Sequence, residues 1–191
     1  MADTAKEVSG ERFSQGFTYQ EYMDQVESNK ERYDEHSAGF KLSDEDAKSF
    51  KALAEKTGGL KVLAVGEDWC PDVHRGLPVI GEIARAAGLD LRIFYRDKNL
   101  DIMNNFLKDG QFQSIPVFAF FDNNMKPLGH WVERPTAAYR FMEELGAELS
   151  RKKLTEDEIR QERRQRNATM AEKWRQETVV ELIDLLGKAT S

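Results

Sequence analysis

The middle of the chain alternates short apolar runs with amphipathic segments, and this alternation limits the fold more than any other feature of the 191 residues. Residues 60–66 form a β-branched apolar run typical of a buried strand. Residues 71–87 follow at helical spacing and end at Gly88, a natural helix terminator. The complete pattern predicts strands over 60–66, 89–95, 115–121 and 126–132, and helices over 71–87, 100–108 and 136–149. It indicates an α/β fold, in which a mixed central sheet is flanked by helices.

Helical sequence lies on both sides of this region. Aromatic and apolar residues recur at helical spacing before Gly58-Gly59, and Ser43 begins a stretch that resembles a helix start. Thr155 and Glu158 have the spacing of a capping box, so a helix is expected to begin there. We therefore expect one compact domain with three parts: an N-terminal helical extension over 1–58, a core over 59–149 and a C-terminal helical extension over 150–191.

An apolar stripe marks the last predicted helix. Its members recur at roughly helical spacing and are Met170, Trp174, Val179, Ile183 and Leu186. A stripe of this kind must be buried against another surface. Packing on its own domain is the favoured interpretation, and a homodimer through the C-terminal helix is the alternative.

Composition and charge narrow the choice of partners. The net charge is −6, so nucleic acid and anionic membranes are not expected as partners. No apolar run approaches the ~20 residues of a membrane span, and Met1 to Glu11 lack the apolar core of a secretory signal. A single cysteine fits a reducing compartment, so a cytoplasmic location is expected. The one cysteine and three histidines are not spaced along the chain as pairs of metal ligands are, so no metal site is expected. His36 and His130 are expected at the surface.

Cys70 is the only cysteine, and it opens a predicted helix directly after a predicted strand. Pro71 suits the first helical position, and Trp69 offers a flat apolar wall, so both are expected to border a bound substrate. Unpaired N–H groups at a helix start favour the thiolate, whereas a free cysteine has a pKa of about 8.5. A protonated His74 would lower the pKa of Cys70 further, while nearby carboxylates would raise it. We expect a modestly depressed pKa, with Cys70 as the nucleophile and His74 as a second catalytic residue.

Residues 59–149 resemble the thioredoxin family at several positions. Trp69-Cys70 follows a strand and opens a helix, and Pro78 falls where thioredoxins carry the proline that kinks this helix. Ile115-Pro116 matches the Ile-Pro of that family, whose proline is cis and lies beside the active cysteine. The single-cysteine Trp-Cys-x-Asp motif with helical flanks resembles a bacterial thioredoxin-like group. The resemblance implies a thioredoxin-like fold with extra N- and C-terminal helices.

Two positions depart from the thioredoxin pattern. Val73 stands where a dithiol enzyme carries its resolving cysteine, so a mixed disulfide at Cys70 could not be released within the chain. The buried acid that assists proton transfer in thioredoxins falls by alignment on Ala64. Both departures remove parts of the dithiol exchange machinery.

The resemblance also implies a binding groove around the cysteine. A cis Pro116 would leave the backbone of Ile115 free to pair with an extended peptide, or with the peptide part of glutathione. Trp131 and Arg134 occupy the loop that borders the cysteine in this family, and Arg134 is expected to meet a substrate carboxylate. The alternatives are packing for Trp131 and a surface ion pair for Arg134.

Two functions therefore compete. The first is a monothiol thiol–disulfide oxidoreductase, in which Cys70 forms a mixed disulfide with a protein or small-molecule disulfide and an external thiol resolves it. Such a protein has no bound cofactor, and glutathione or another low-molecular-weight thiol would be its co-substrate. The second is a catalytically inactive thioredoxin-fold binding module for a protein partner. Residues 69–71 favour the first function, whereas Val73 favours the second.

Overall fold

A four-stranded mixed sheet organises the structure, a computed structural model that describes residues 8–191. The strands are β1 (Leu60–Gly66), β2 (Asp90–Tyr95), β3 (Val117–Asp122) and β4 (Pro127–Val132). Their order across the sheet is β2-β1-β3-β4, with β1 and β2 parallel and the other pairs antiparallel. Most of the expectation for Met1 to Glu11 falls on residues 1–7, which lie outside the described residues.

Nine α-helices surround the sheet within residues 8–191. They are α1 (Gly10–Ser14), α2 (Tyr19–Gln25), α3 (Lys30–Ala38), α4 (Asp44–Lys56), α5 (Pro71–Ala87), α6 (Leu100–Met103), α7 (Thr136–Ser150), α8 (Glu156–Thr169) and α9 (Ala171–Ala189). A short 3-10 turn, Arg96–Lys98, follows β2. The α/β fold predicted from the alternation is confirmed, and α5 has the predicted bounds.

The burial of the central strand explains why its sequence is a continuous apolar run. β1 is hydrogen-bonded on both edges, and all of its residues except Lys61 are buried. A strand covered on both faces reads as a continuous apolar run. Only four residues separate the end of β1 from the start of α5, so the chain passes directly from the sheet into this helix.

The predicted helix over 100–108 is shorter than expected. It ends at Met103, and Asn104 forms its C-cap. The chain then turns through Asp109 and Gly110, both of which have positive φ angles of 53° and 69°. Left-handed backbone at two consecutive residues cannot continue an α-helix, so these residues form a turn.

The N-terminal helices are joined to the sheet through aromatic side chains. Tyr22, Tyr33 and Phe50 are completely buried, and Phe17 exchanges two backbone hydrogen bonds with Ile93 of β2, with N···O distances of 2.9 and 2.7 Å. The predicted helix start at residue 43 is confirmed, because the Ser43 side chain accepts a hydrogen bond from the Asp46 N–H.

The C-terminal segment forms two helices, α8 and α9. The predicted capping box of Thr155 and Glu158 is present at the start of α8. Helix α9 buries Trp174, Val179 and Leu186 against its own chain, where it contacts β4, α4 and α5. The apolar stripe is thus used within the domain, and a homodimer through this helix stays a prediction. Within residues 8–191, no helix has both the length and the apolar character needed to span a membrane.

Replacement of one buried side chain of α9 tests whether this docking stabilises the fold. Leu182 is fully buried, so Leu182→Ala should lower the free energy of unfolding by about 2–5 kcal/mol, since a large buried side chain is lost and a cavity remains. Val180 lies on the same helix and is 60% exposed, so Val180→Ala should change it by less than about 0.5 kcal/mol. Urea denaturation of both variants measures the difference, and equal small effects would contradict the docking.

Candidate functional site

Cys70 lies where β1 passes into α5. It is the N-cap residue of α5, with Pro71 in the first turn, and it is only 8% exposed. Its Sγ donates a hydrogen bond to the carbonyl oxygen of Ile115 at 3.8 Å. The peptide bond between Ile115 and Pro116 is cis. The structure therefore places Cys70 beside Ile115, which precedes Pro116, as the resemblance implied. The role of Pro71, Ile115 and Pro116 in substrate binding stays a prediction.

The pKa of the Cys70 thiol is raised above its ordinary value, which corrects the expectation of a depressed pKa. Burial away from water is the largest cause, and the charge of Asp72 also raises the pKa. The backbone N–H groups of Val73 and Asp72, and the charge of Arg134, act in the opposite direction. Burial disfavours the charged thiolate more than the helix start stabilises it, so the sulfur is a protonated thiol at neutral pH.

An ion cluster joins the cysteine helix to the end of β4. Arg134 Nη2 lies 2.6 Å from Asp72 Oδ2 and 2.5 Å from Glu133 Oε1. Asp72 also accepts a hydrogen bond from Arg75 at 2.7 Å. Arg134 is therefore held by two carboxylates, and any substrate carboxylate would have to compete with them. Its predicted role in substrate binding stays a prediction.

The two tryptophans of the predicted site differ in exposure. Trp131 is buried, stacks on Phe118 with ring centroids 5.3 Å apart, and donates from Nε1 to Glu181 at 2.8 Å. These contacts match the packing alternative for Trp131. Trp69 is 50% exposed, with the Arg96 guanidinium 5.2 Å from its ring centroid. Trp69 is thus the aromatic side chain beside Cys70 that a ligand can reach.

His74 is buried and neutral rather than protonated. Its Nε2 donates to the backbone carbonyl of Asp68 at 2.6 Å, and its ring lies 4.9 Å from the ring of Tyr33. Burial is the main cause that lowers its pKa. The expectation that a positive charge on His74 activates the thiol is therefore corrected, because its hydrogen bond fixes the loop before Cys70 instead.

The other two histidines are also partly covered. His36 was expected to be exposed, but it is half-buried, and its Nδ1 accepts a hydrogen bond from Arg175 at 3.1 Å. Burial, followed by the charges of Arg175 and Arg75, lowers the pKa of His36 to about 4. His130 is half-buried and packs against Phe106, with ring centroids 5.4 Å apart.

The two departures from the thioredoxin pattern both lie in the core. Val73 is fully buried and packs so closely on Gly66 that a Cβ at position 66 would lie 2.8 Å from Val73 Cγ1. Ala64 is fully buried in β1, opposite Phe118 of β3. A buried apolar side chain thus occupies the position at which a dithiol enzyme carries its resolving cysteine.

Two further polar groups lie near the cysteine. Glu67, one of the carboxylates expected to raise the pKa of Cys70, is buried directly after β1, accepts a hydrogen bond from the Asp97 N–H at 2.8 Å, and has its own pKa raised by burial. Tyr33 lies near enough to Cys70 that a charged thiolate raises the pKa of Tyr33, which burial already raises. Sequence reasoning missed Tyr33 as a neighbour of the cysteine, because it appeared only as part of a helical spacing. Within residues 8–191, no group of three or more potential ligands is placed to hold a metal ion.

The sheet order and the position of the cysteine define a thioredoxin-like α/β protein. The chain belongs to the thioredoxin family, since the family model described as thioredoxin matches residues 16–150. The match extends beyond the predicted core to include three of the four N-terminal helices, α2 to α4.

Two solved structures are similar to the chain. One is a protein of unknown function from Pseudomonas aeruginosa, with 19% identity and a TM-score of 0.51, covering 91% of this chain and 99% of that protein. The other is an HIV epitope-scaffold, with 17% identity and a TM-score of 0.47, covering 90% of this chain and 99% of the scaffold. The first likeness supports the fold alone. Comparison with curated proteins finds no match.

Substitution of Asp72 tests the balance of charges at the sulfur. Asp72→Asn removes a carboxylate that raises the pKa of Cys70, so this pKa should fall. Arg134→Met removes a charge that lowers it, so the pKa should rise. The rate of alkylation of Cys70 against pH measures both shifts. Asp44→Asn, at an exposed position of α4, is the control and should leave the profile unchanged; shifts of the same sign in all three variants would contradict the assignment.

Proposed function

We propose that the protein is a monothiol thiol–disulfide exchange protein that forms a mixed disulfide at Cys70. The observation that carries this proposal is the set of groups that contact the sulfur: the N–H groups of Asp72 and Val73 at the start of α5, and the Ile115 carbonyl. Two N–H donors stabilise the thiolate when it forms, both as the attacking group and as the group released at the end.

The exchange proceeds in two balanced steps. In the first, the Cys70 thiol loses its proton to solvent and the thiolate attacks one sulfur of a disulfide, which forms a new S–S bond and releases the other sulfur as a thiolate. Val73 cannot attack this mixed disulfide. In the second step, an external thiolate attacks it, takes over the substrate sulfur in a new S–S bond, and releases the Cys70 thiolate. Glutathione of a reducing cytoplasm is the co-substrate we propose.

The raised pKa of Cys70 makes the first step slow at neutral pH and faster in alkali. Only the thiolate attacks, and its fraction grows about tenfold per pH unit below the pKa. Because burial raises the pKa of Cys70, its thiolate fraction keeps rising at pH values where a free cysteine is already fully deprotonated. A disulfide substrate must also reach a sulfur that is only 8% exposed.

A binding module that uses the same fold without exchange is the second candidate. It is favoured by the low exposure of Cys70 and by the fully buried valine at the resolving position. In this function the thiol donates a hydrogen bond to Ile115 and stays reduced, while the exposed face of Trp69 contacts the partner.

Incubation with glutathione disulfide distinguishes the two candidates. We expect a mass increase of one glutathionyl group on the protein and none on Cys70→Ser. Added glutathione should then regenerate the free thiol and sustain turnover of a glutathionylated peptide, with a rate that rises with pH. If no adduct forms, or if the adduct is formed but not turned over, the binding function is supported instead.

Val73→Cys tests whether only the resolving group is missing. A cysteine at this position lies one helical turn after Cys70, so the reduced variant should reduce a protein disulfide to two thiols while its own two thiols become one internal disulfide, which added dithiothreitol reduces again. Val73→Ser is the matched control, since it also replaces a buried valine by a small polar group but supplies no thiol. Equal activity of the two variants would contradict the proposal.

A further inference from the structure

A positively charged cleft opens beside the cysteine helix, although the protein as a whole carries a net charge of −6. It lies between α3 on one side and the α8–α9 pair on the other, with Trp69 and Pro71 at its border. Its volume is about 920 Å³, within the roughly 300–1,000 Å³ of small-molecule sites. The cations that line it are Arg32, Arg75, Arg160, Arg164 and Arg175. Two acidic side chains, Glu35 and Glu172, also line it, so cations exceed carboxylates.

The deepest arginine of the cleft has no carboxylate partner among residues 8–191. Arg175 is 8% exposed, and its guanidinium donates to His36 Nδ1 at 3.1 Å and to the Gly39 carbonyl at 2.8 Å. Its Nε is buried and has no hydrogen-bond partner within the described residues. Glu172 and Glu35 lie near enough to act on its charge, but neither forms an ion pair with it, so the buried guanidinium is hydrogen-bonded only to neutral groups in the wall of the cleft. The same charge contributes to the low pKa of His36.

The outer wall of the cleft is a helix that contributes no buried residue to the core. Helix α8 has side chains that are at most half-buried. Arg160 and Arg164 stand four residues apart on it, a spacing at which like charges destabilise a helix. Arg160 is paired with Asp157, whereas Arg164 forms no ion pair with any residue that the structure describes. Folding therefore gives no reason for this pair of arginines to line the cleft.

We infer that this cleft binds a small ligand through an oxyanion, either carboxylate or phosphate. Arginine presents a planar fork of donors that pairs with both kinds of oxyanion. The exposed Arg32, Arg160 and Arg164 at the rim attract the ligand from solution, and the buried charge of Arg175 stabilises the oxyanion in the cleft. The inference does not depend on disulfide exchange at Cys70, because Cys70 does not line the cleft.

Calorimetric titration of the full chain tests the inference. Inorganic phosphate and citrate are the two probes, titrated at constant ionic strength set with sodium chloride, and the arm with the tighter saturable binding identifies the preferred oxyanion. The double variant Arg160→Gln/Arg164→Gln should weaken that binding by about tenfold or more, since two of the positive charges that attract the oxyanion are lost. Its substitutions lie on exposed positions of α8, so the fold should be retained.

Arg163→Gln is the matched control. It removes one positive charge from the same helix, half of the charge lost in the double variant, but Arg163 lies outside the cleft, on the side of α8 that approaches Gly146 of α7. We expect this variant to weaken binding by less than about twofold. Cys70→Ser should bind as the unmodified chain does, which separates this test from that of the exchange reaction. Absence of saturable binding for both probes, equal weakening by Arg163→Gln, or loss of binding in Cys70→Ser would each overturn the inference.

Discussion

The pairing of β1 with β3 is the interaction on which the rest of the site depends. The two strands are antiparallel, so the end of β1 lies beside the beginning of β3, and Val65 is opposite Val117. The segments that continue from these ends are therefore neighbours, which places Cys70 after one strand against Ile115 before the other. The parallel partner β2 covers the other edge of β1 and carries the aromatic contacts of the N-terminal helices. Cys70 is thus positioned by sheet register rather than by its own short motif.

Burial and the helix start act on the same sulfur in opposite directions, and their magnitudes decide the outcome. A helix N-terminus usually stabilises a charge by about 0.3–1 kcal/mol, which is less than one pKa unit at about 1.4 kcal/mol each. Loss of water around a buried group can shift a pKa by up to about 3–5 units. Asp72 is also tied to Arg134 and Arg75, so much of its charge is compensated locally. The sulfur therefore keeps its proton, although its position is that of a nucleophile.

The sequence predicted what is determined by neighbours along the chain. The strands, the bounds of α5, the helix start at Ser43 and the capping box of Thr155 and Glu158 follow from local spacing, and the position of Cys70 beside Ile115 followed from the family resemblance. What it could not predict depends on distant partners. His36 is covered by Arg175, 139 residues away, and Arg134 is held by Asp72, 62 residues away. The pKa of Cys70 was predicted in the wrong direction because its motif does not state how deeply the sulfur is buried.

Helix α8 has a consequence for how this protein can vary. Because its side chains are at most half-buried, exposed positions such as Arg160 and Arg164 can be replaced with little effect on the packing of the sheet and of α9. The core determines where the thiol lies, and the exposed face of α8 determines the charge of the surface beside it. That surface charge can therefore change between related sequences at small cost to folding, which separates the residues that must be kept from those that are free to diverge.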